Sequence, residues 1–100
     1  MDDIQLKLND AMHGAFVLEK DGERFAEMEI AIKNGELTVF HTEVSEALKG
    51  QGIASRLLAR MVGYARENQL KVIPLCPFVH AQFKRHPDQY ADIWKKSSVK

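Results

Sequence analysis

Lys49-Gly50-Gln51-Gly52-Ile53-Ala54-Ser55-Arg56-Leu57-Leu58 is the stretch on which the fold turns. Two glycines flank Gln51, and behind them Ile53, Ala54, Leu57, Leu58, Met61, Val62 and Ala65 recur at helical spacing. Arg56, Arg60, Arg66 and Glu67 fall on other faces. The spacing predicts an amphipathic helix over residues 51–68, about 27 Å long, with Asn68 as a left-handed stop. The first turn of such a helix leaves backbone N–H groups unpaired, and its dipole favours negative charge. Glycine lets a bulky anion come close to the backbone. The segment therefore suits a phosphate group, with Lys49, Ser55 and Arg56 as further donors. The plainer alternative is that Gly50 and Gly52 only shape a tight loop, since short glycine motifs are weak signals.

Upstream, the pattern alternates. Ile4, Leu6 and Leu8 form one short strand pattern, residues 13–20 a second, Ala26, Met28, Ile30 and Ile32 a third, and Leu37, Val39 and His41 a fourth. Asp21-Gly22 and Asn34-Gly35 read as two-residue type I′ hairpin turns, which need positive φ at both central positions. Two-residue loops set Glu19 against Arg24, Lys20 against Glu23, Lys33 against Glu36, Ile32 against Leu37 and Ile30 against Val39. Counting on along the strands, Ala15 meets Met28, which meets His41, all on one face. Downstream, residues 71–76 read as a fifth strand with Pro74 disrupting its ladder. Strand, helix, strand makes a right-handed βαβ unit, so strands four and five run parallel. A closing helix begins at Pro77 or Phe78 and stops near His86, before Pro87. Tyr90, Ile93 and Trp94 suggest a last helical turn against the core. The expected architecture is α/β of the α+β type: an antiparallel meander, a strand-helix-strand unit and a closing helix. One domain spans 1–94, and residues 95–100 form a solvated tail.

Composition narrows the function. Fourteen Lys and Arg balance fourteen Asp and Glu, for a formal net charge of +0, which disfavours nucleic acid as a partner. The 45% hydrophobic content is ordinary for a globular domain. A single cysteine, Cys76, excludes an internal disulfide. The start, Met1-Asp2-Asp3-Ile4, has no signal-peptide pattern, and no apolar run suits a membrane span, so a cytoplasmic location is expected. Four histidines and one cysteine show no metal-ligand spacing. No residue pattern demands self-association, which leaves a monomer or weak dimer.

Lys49-Gly50-Gln51-Gly52-Ile53-Ala54, followed by Leu57 and Leu58, resembles the pyrophosphate motif of the GNAT superfamily of N-acetyltransferases. That motif reads Arg or Gln, two residues, Gly, one residue, then Gly or Ala. Lys49 stands at its first position, Gly52 at the central Gly and Ala54 at the last. Leu75-Cys76-Pro77-Phe78-Val79 and His86-Pro87-Asp88-Gln89-Tyr90 look like the short, single-domain GNAT-like subgroup, and the likeness covers roughly residues 13–94. The resemblance implies acetyl-CoA as cosubstrate and a primary amine as acceptor. Gly50, Gln51, Gly52, Ile53, Ala54 and Ser55 would hold the pyrophosphate, with Lys49 and Arg56 beside them. Strands four and five would splay to admit the pantetheine arm, next to Glu43 and Val44. GNAT enzymes usually carry one or two helices between strands one and two, but here only residues 9–14 link them, so much of the usual acceptor wall is missing.

Acetyl transfer to an amine requires a neutral nucleophile, a polarised thioester carbonyl and a proton for the leaving thiolate. Many GNAT enzymes supply that proton from a Tyr in the closing helix, where this chain has Phe83. Cys76, beside a helix N-terminus, is the candidate acid or acetyl relay; its plain alternative is a packed thiol. Glu43 and His41 are candidate bases, the alternatives being an exposed loop carboxylate and a structural histidine. His80 reads better as a capping or local-charge residue, while Lys84 and Arg85 suit CoA phosphates and a solvated basic face equally well. Three functions compete: an N-acetyltransferase, a non-catalytic acyl-CoA binder or sensor, and an interaction module with a vestigial loop.

Overall fold

In the computed structural model residues 4–96 are described, and they build one sheet with helices on one face. Strands β1 (Gln5–Leu8), β2 (His13–Lys20), β3 (Glu23–Lys33), β4 (Glu36–Val44) and β5 (Lys71–Pro74) lie in that order across the sheet. The first three pairings are antiparallel, and β4–β5 is parallel. Helix α1 (Ile53–Glu67) makes the crossover, α2 (Pro77–Arg85) follows β5, and a four-residue α3 (Pro87–Tyr90) follows α2. Phe16, Met28, Ile30, Leu37 and Val39 project from the sheet against Leu57, Met61, Val79 and Phe83 of the helices, all fully buried. Each such side chain stabilises the fold by about 1.5–3 kcal/mol.

Both hairpins turn as expected, with Asp21 and Asn34 at φ 54 and Gly22 and Gly35 at φ 80 and 78. Glu19 pairs Arg24, Lys20 pairs Glu23, Lys33 pairs Glu36, Ile32 pairs Leu37 and Ile30 pairs Val39. Beyond the turns the registers shift. One irregularity lies opposite Leu18/Glu19, where Phe25 is extra, and a second at Glu29/Ile30, where Phe40 is extra. Ala15 therefore meets Glu29 and not Met28, and Met28 pairs Phe16 and Thr42. His41 pairs Glu29 and leaves the inner face, which corrects the shared face expected for Ala15, Met28 and His41. A bulge inserts one residue, and one residue exchanges inside for outside along the rest of the strand.

Helix α1 ends differently from expectation. Asn68 is its C-cap at φ −104, and Gln69 takes the left-handed conformation at φ 56. Leu70 N–H donates to Ala65 O at 2.8 Å and Gln69 N–H to Arg66 O at 3.3 Å, the paired bonds of a Schellman cap. Strand β5 stops at Pro74, two residues short of the expected end. Trp94 does not continue a helix: it bridges Val72 in parallel, so the chain's end lies along β5, with Val72 N–H donating to Ile93 O and Lys95 N–H to Val72 O. Of the expected tail, Lys95 also pairs with Glu36 at 3.0 Å, and Lys96 Nζ sits 4.6 Å over the Trp94 ring; residues 97–100 lie outside the described residues.

Arg66, in the last turn of α1, forks onto Asp92 at 2.9 and 3.2 Å and donates to Gln89 O at 2.7 Å. The Arg66 hydrogen bond holds the Asp92 carboxyl below its ordinary 3.8. A carboxylate with a depressed folded pKa adds stability above its unfolded pKa and loses it as pH falls through the folded value. Asp92→Asn should therefore lower stability at neutral pH and remove part of the stability loss seen on acidification below about 3.8; urea titrations at pH 7 and pH 3 check both. Backbone contact at Gly14 is stricter. A Cβ there would lie 1.8 Å from Lys7 O, so Gly14→Ala should destabilise by about 2 kcal/mol or more and loosen β1, read as lost amide protection at Leu6 and Leu8.

Candidate active site

The site begins where β4 parts from β5. Ladder pairing runs from Glu36–Lys71 to Val39–Pro74 and stops there. Pro74 has no N–H to continue it. Leu75 N–H turns back onto Ile73 O at 3.1 Å, while Cys76 N–H still reaches Val39 O at 2.9 Å. Past this point β4 continues to Val44, paired with β3 alone. The result is a fork whose sides are residues 40–44 and the start of α2.

Cys76 sits in the crotch of that fork. It is the N-cap of α2, with Pro77 in the first turn, and is only 2% exposed. Its Sγ lies 3.3 Å from Thr42 Oγ1, where either group can donate. Thr42 faces inward because the Phe40 bulge exchanged it with His41. The strand pattern held a signal for this: Val39 and Val44 both pack toward the core yet are five apart, an odd interval that a period-two strand cannot bridge without an extra residue.

His41 and Glu43 are on the other face. Both are exposed, and His41 Nε2 lies 3.7 Å from Glu43 Oε1. The candidate catalytic residues are thus divided by the sheet, Cys76 with Thr42 inside and His41 with Glu43 outside. Phe83, at the place where a Tyr acid was sought, is fully buried and stacked on Tyr90 at 4.6 Å. Val44 is half-buried against the core at the end of β4.

Beyond Val44 the chain is held turn by turn. Ser45 N–H donates to Phe25 O, and Ser45 Oγ accepts from Ala47 N–H, starting a 3-10 turn over Glu46–Leu48. Lys49 pairs with Glu46 at 3.4 Å across this turn, both side chains well exposed. Gln51 N–H donates to Leu48 O at 3.3 Å. Gly50 and Gly52 take φ 83 and 73, conformations that other residues adopt only under strain. Gly52 is the N-cap of α1 and offers no side chain to the helix. Arg56 N–H is the first to close an intrahelical bond, onto Gly52 O at 3.1 Å. The N–H groups of Ile53, Ala54 and Ser55 precede that bond and have no acceptor within the helix. Ile53, 3% exposed, pins this end to the core, while Ser55 is exposed and Arg56 half-exposed beside it. The residues expected to hold phosphate, 49–56, thus form one continuous surface at the N-terminus of α1. Among the described residues no group of three or more His, Cys, Asp and Glu is placed to hold a metal ion.

Residues 15–93 match the sequence model of the GCN5-related N-acetyl-transferase family. A Staphylococcus aureus protein solved by NMR and provisionally designated a GCN5-like N-acetyltransferase superposes with a TM-score of 0.66 at 29% identity, covering 98% of this chain and 94% of that one. The ribosomal-protein-alanine N-acetyltransferase from Brucella melitensis biovar Abortus 2308 superposes with a TM-score of 0.60 at 19% identity, covering 92% of this chain and 72% of that one, a likeness of fold alone. No curated protein matches the sequence significantly.

At Gly52 the backbone angle is the constraint and not the space, since an added Cβ would meet nothing within 4 Å. Gly52→Ala should cost about 1 kcal/mol through left-handed strain, read as a lower urea midpoint; an unchanged midpoint would show that the loop relaxes without that angle.

Proposed function

Because the chain belongs to the GCN5-related N-acetyltransferase family, we propose that it moves an acetyl group from acetyl-CoA to a primary amine at the β4–β5 fork. The observation that carries this reading is the common placement of two features: an anion-receptive α1 N-terminus after Gly50-Gln51-Gly52, and a fork in the adjoining strand pair with the chain's one thiol in it. The free N–H groups of the first turn of α1, with Lys49 beside them, suit the pyrophosphate. The unpaired edge of residues 40–44 offers backbone N–H and C=O groups to the amides of the pantetheine arm. Acetyl-CoA, when bound, supplies an activated thioester.

In the transfer, the amine nitrogen bonds to the thioester carbonyl carbon and the carbon–sulfur bond breaks. The leaving thiolate takes a proton, and the new amide sheds one. Cys76 is placed to give the first proton, with the Thr42 hydroxyl 3.3 Å away to hold the thiol in position or restore its proton. His41 and Glu43, on the outer face, would take the second from the nitrogen of the neutral amine as the amide forms. The division of the two sets by the sheet fits a reaction in which cosubstrate and acceptor arrive from opposite sides.

One feature favours a second reading, a non-catalytic acyl-CoA binder: Phe83 occupies the place of a proton-donating Tyr, and Cys76 is nearly inaccessible. Two variants separate the readings. Gly52→Glu puts a carboxylate into the anion site and should weaken acetyl-CoA binding at least about 100-fold, about 2.7 kcal/mol, in calorimetric titration. Retained affinity would remove residues 49–56 from the site. Cys76→Ala should lower turnover about 100-fold, the scale of general acid catalysis, with affinity unchanged. Equal turnover in the two proteins would leave Cys76 a packing residue, and no turnover with any amine despite tight binding would favour the binder.

A further inference from the structure

The chain that leaves β5 comes back to it. After Pro74 it runs through α2 and α3, and at Trp94 it bridges Val72 in parallel. Both backbone groups of Val72 are used there: its N–H donates to Ile93 O at 2.6 Å, and its O accepts from Lys95 N–H at 2.9 Å. Residues 73–93 therefore form a closed loop, and β5 is held between β4 on one edge and this clasp on the other. Cys76 lies at the start of that loop and Trp94 just past its end.

Ring contacts connect the clasp to the thiol. Trp94 meets Phe83 edge-on at 5.6 Å and His80 at 6.1 Å, both on α2. His80 N–H donates to Cys76 O at 2.9 Å, the bond that closes the first turn of α2. Phe83 also stacks on Tyr90, at 4.6 Å. A helix of nine residues whose N-cap makes no side-chain bond does not persist alone and depends on its packing. Val79 and Phe83 pack it on the core, and Trp94 packs it from the clasp. The clasp is the weaker attachment. It is one bridge, against four paired residues a side between β4 and β5. Its side-chain ties are Arg66 to Asp92, Lys71 Nζ to Asp92 O and Lys95 to Glu36, all at the surface, where such pairs add little. Of residues 91–96 only Ile93 is buried. Segments held in this way open before the core does.

The acetyl-transfer reading, on which this inference rests, asks a thiol that is only 2% exposed to meet a thioester. We propose that residues 93–95 are a latch: closed, they hold α2 over Cys76, and released, they let α2 lift and uncover the thiol at the fork. Release breaks the two backbone bonds at Val72 and frees Trp94, while β5 keeps its pairing with β4. Neither the sheet nor α1 has to move. Trp94 is thus a positioning residue that acts on Cys76 through α2. The chain carries its own reporters of this motion, since Cys76 is its one cysteine and Trp94 its one tryptophan.

The test compares amide hydrogen exchange with thiol labelling by an aryl disulfide reagent, in the full chain and without acetyl-CoA. The amides of Val72 and Lys95 should open with the same equilibrium constant as the Cys76 thiol, within about threefold, and at least about 100-fold more readily than those of Met28 and Ile30. That opening should change little at low urea, because it exposes little surface. Lys95→Pro removes one clasp N–H and should label at least about tenfold faster, with Trp94 emission shifted to the red, while Lys95→Ala keeps the N–H and should stay within about threefold of the parent. Val72 and Lys95 protected as strongly as Met28 and Ile30, Cys76 labelled only through global unfolding, or a folded Lys95→Pro that labels at the parent rate would each overturn the latch. The exchange comparison decides the matter even if Lys95→Pro fails to fold. Turnover alongside any of these failures rejects the latch and leaves the transfer reading intact. Opening as described in a protein that acetylates no amine supports the latch and rejects the transfer reading.

Discussion

The parallel pairing of β4 with β5 lasts only four residues a side, from Glu36–Lys71 to Val39–Pro74, and the rest of the site follows from its end. Proline cannot extend the ladder, and Leu75 folds back on Ile73, so β5 leaves the sheet while β4 runs on. One last bond, from Cys76 N–H to Val39 O, fixes where the strands part. It also places the thiol and the first turn of α2 at the parting point. Had the pairing continued, backbone would fill the fork and Cys76 would be one more ladder residue.

The bulge at Phe40 works on the same few residues from the other strand. It turns Thr42 inward to meet Cys76 and sends His41 and Glu43 outward to meet solvent. One inserted residue thereby sorts the polar side chains of β4 between two faces, and with them two kinds of chemistry. Inside are a thiol and a hydroxyl at the start of α2; outside are carboxylates and imidazoles.

Much of the fold was legible because it is local. Asp21-Gly22 and Asn34-Gly35 fixed both hairpin turns and the pairs next to them, since a type I′ turn leaves no freedom in the first few rungs. Helical spacing fixed α1, and Pro77 and Pro87 marked the start of α2 and the break after it. The pairing of Ala15 with Met28 and of Met28 with His41 failed because two bulges intervene, and a count of residues from a turn carries no knowledge of an insertion. Asn68 lost the left-handed position to Gln69 because the Schellman bonds onto Ala65 and Arg66 set that position by geometry, and intrinsic preference is the weaker influence.

By itself, then, the sequence determined the order of elements, the turns, and the glycine-framed start of α1, all of which depend on neighbours within a few residues. Only the tertiary structure decided which side of the sheet each chemical group occupies. Facing in a strand is set by register, and register past a bulge is settled by packing across the whole sheet: Val39 and Val44 must both reach the core, and the residues between them take the sides that remain.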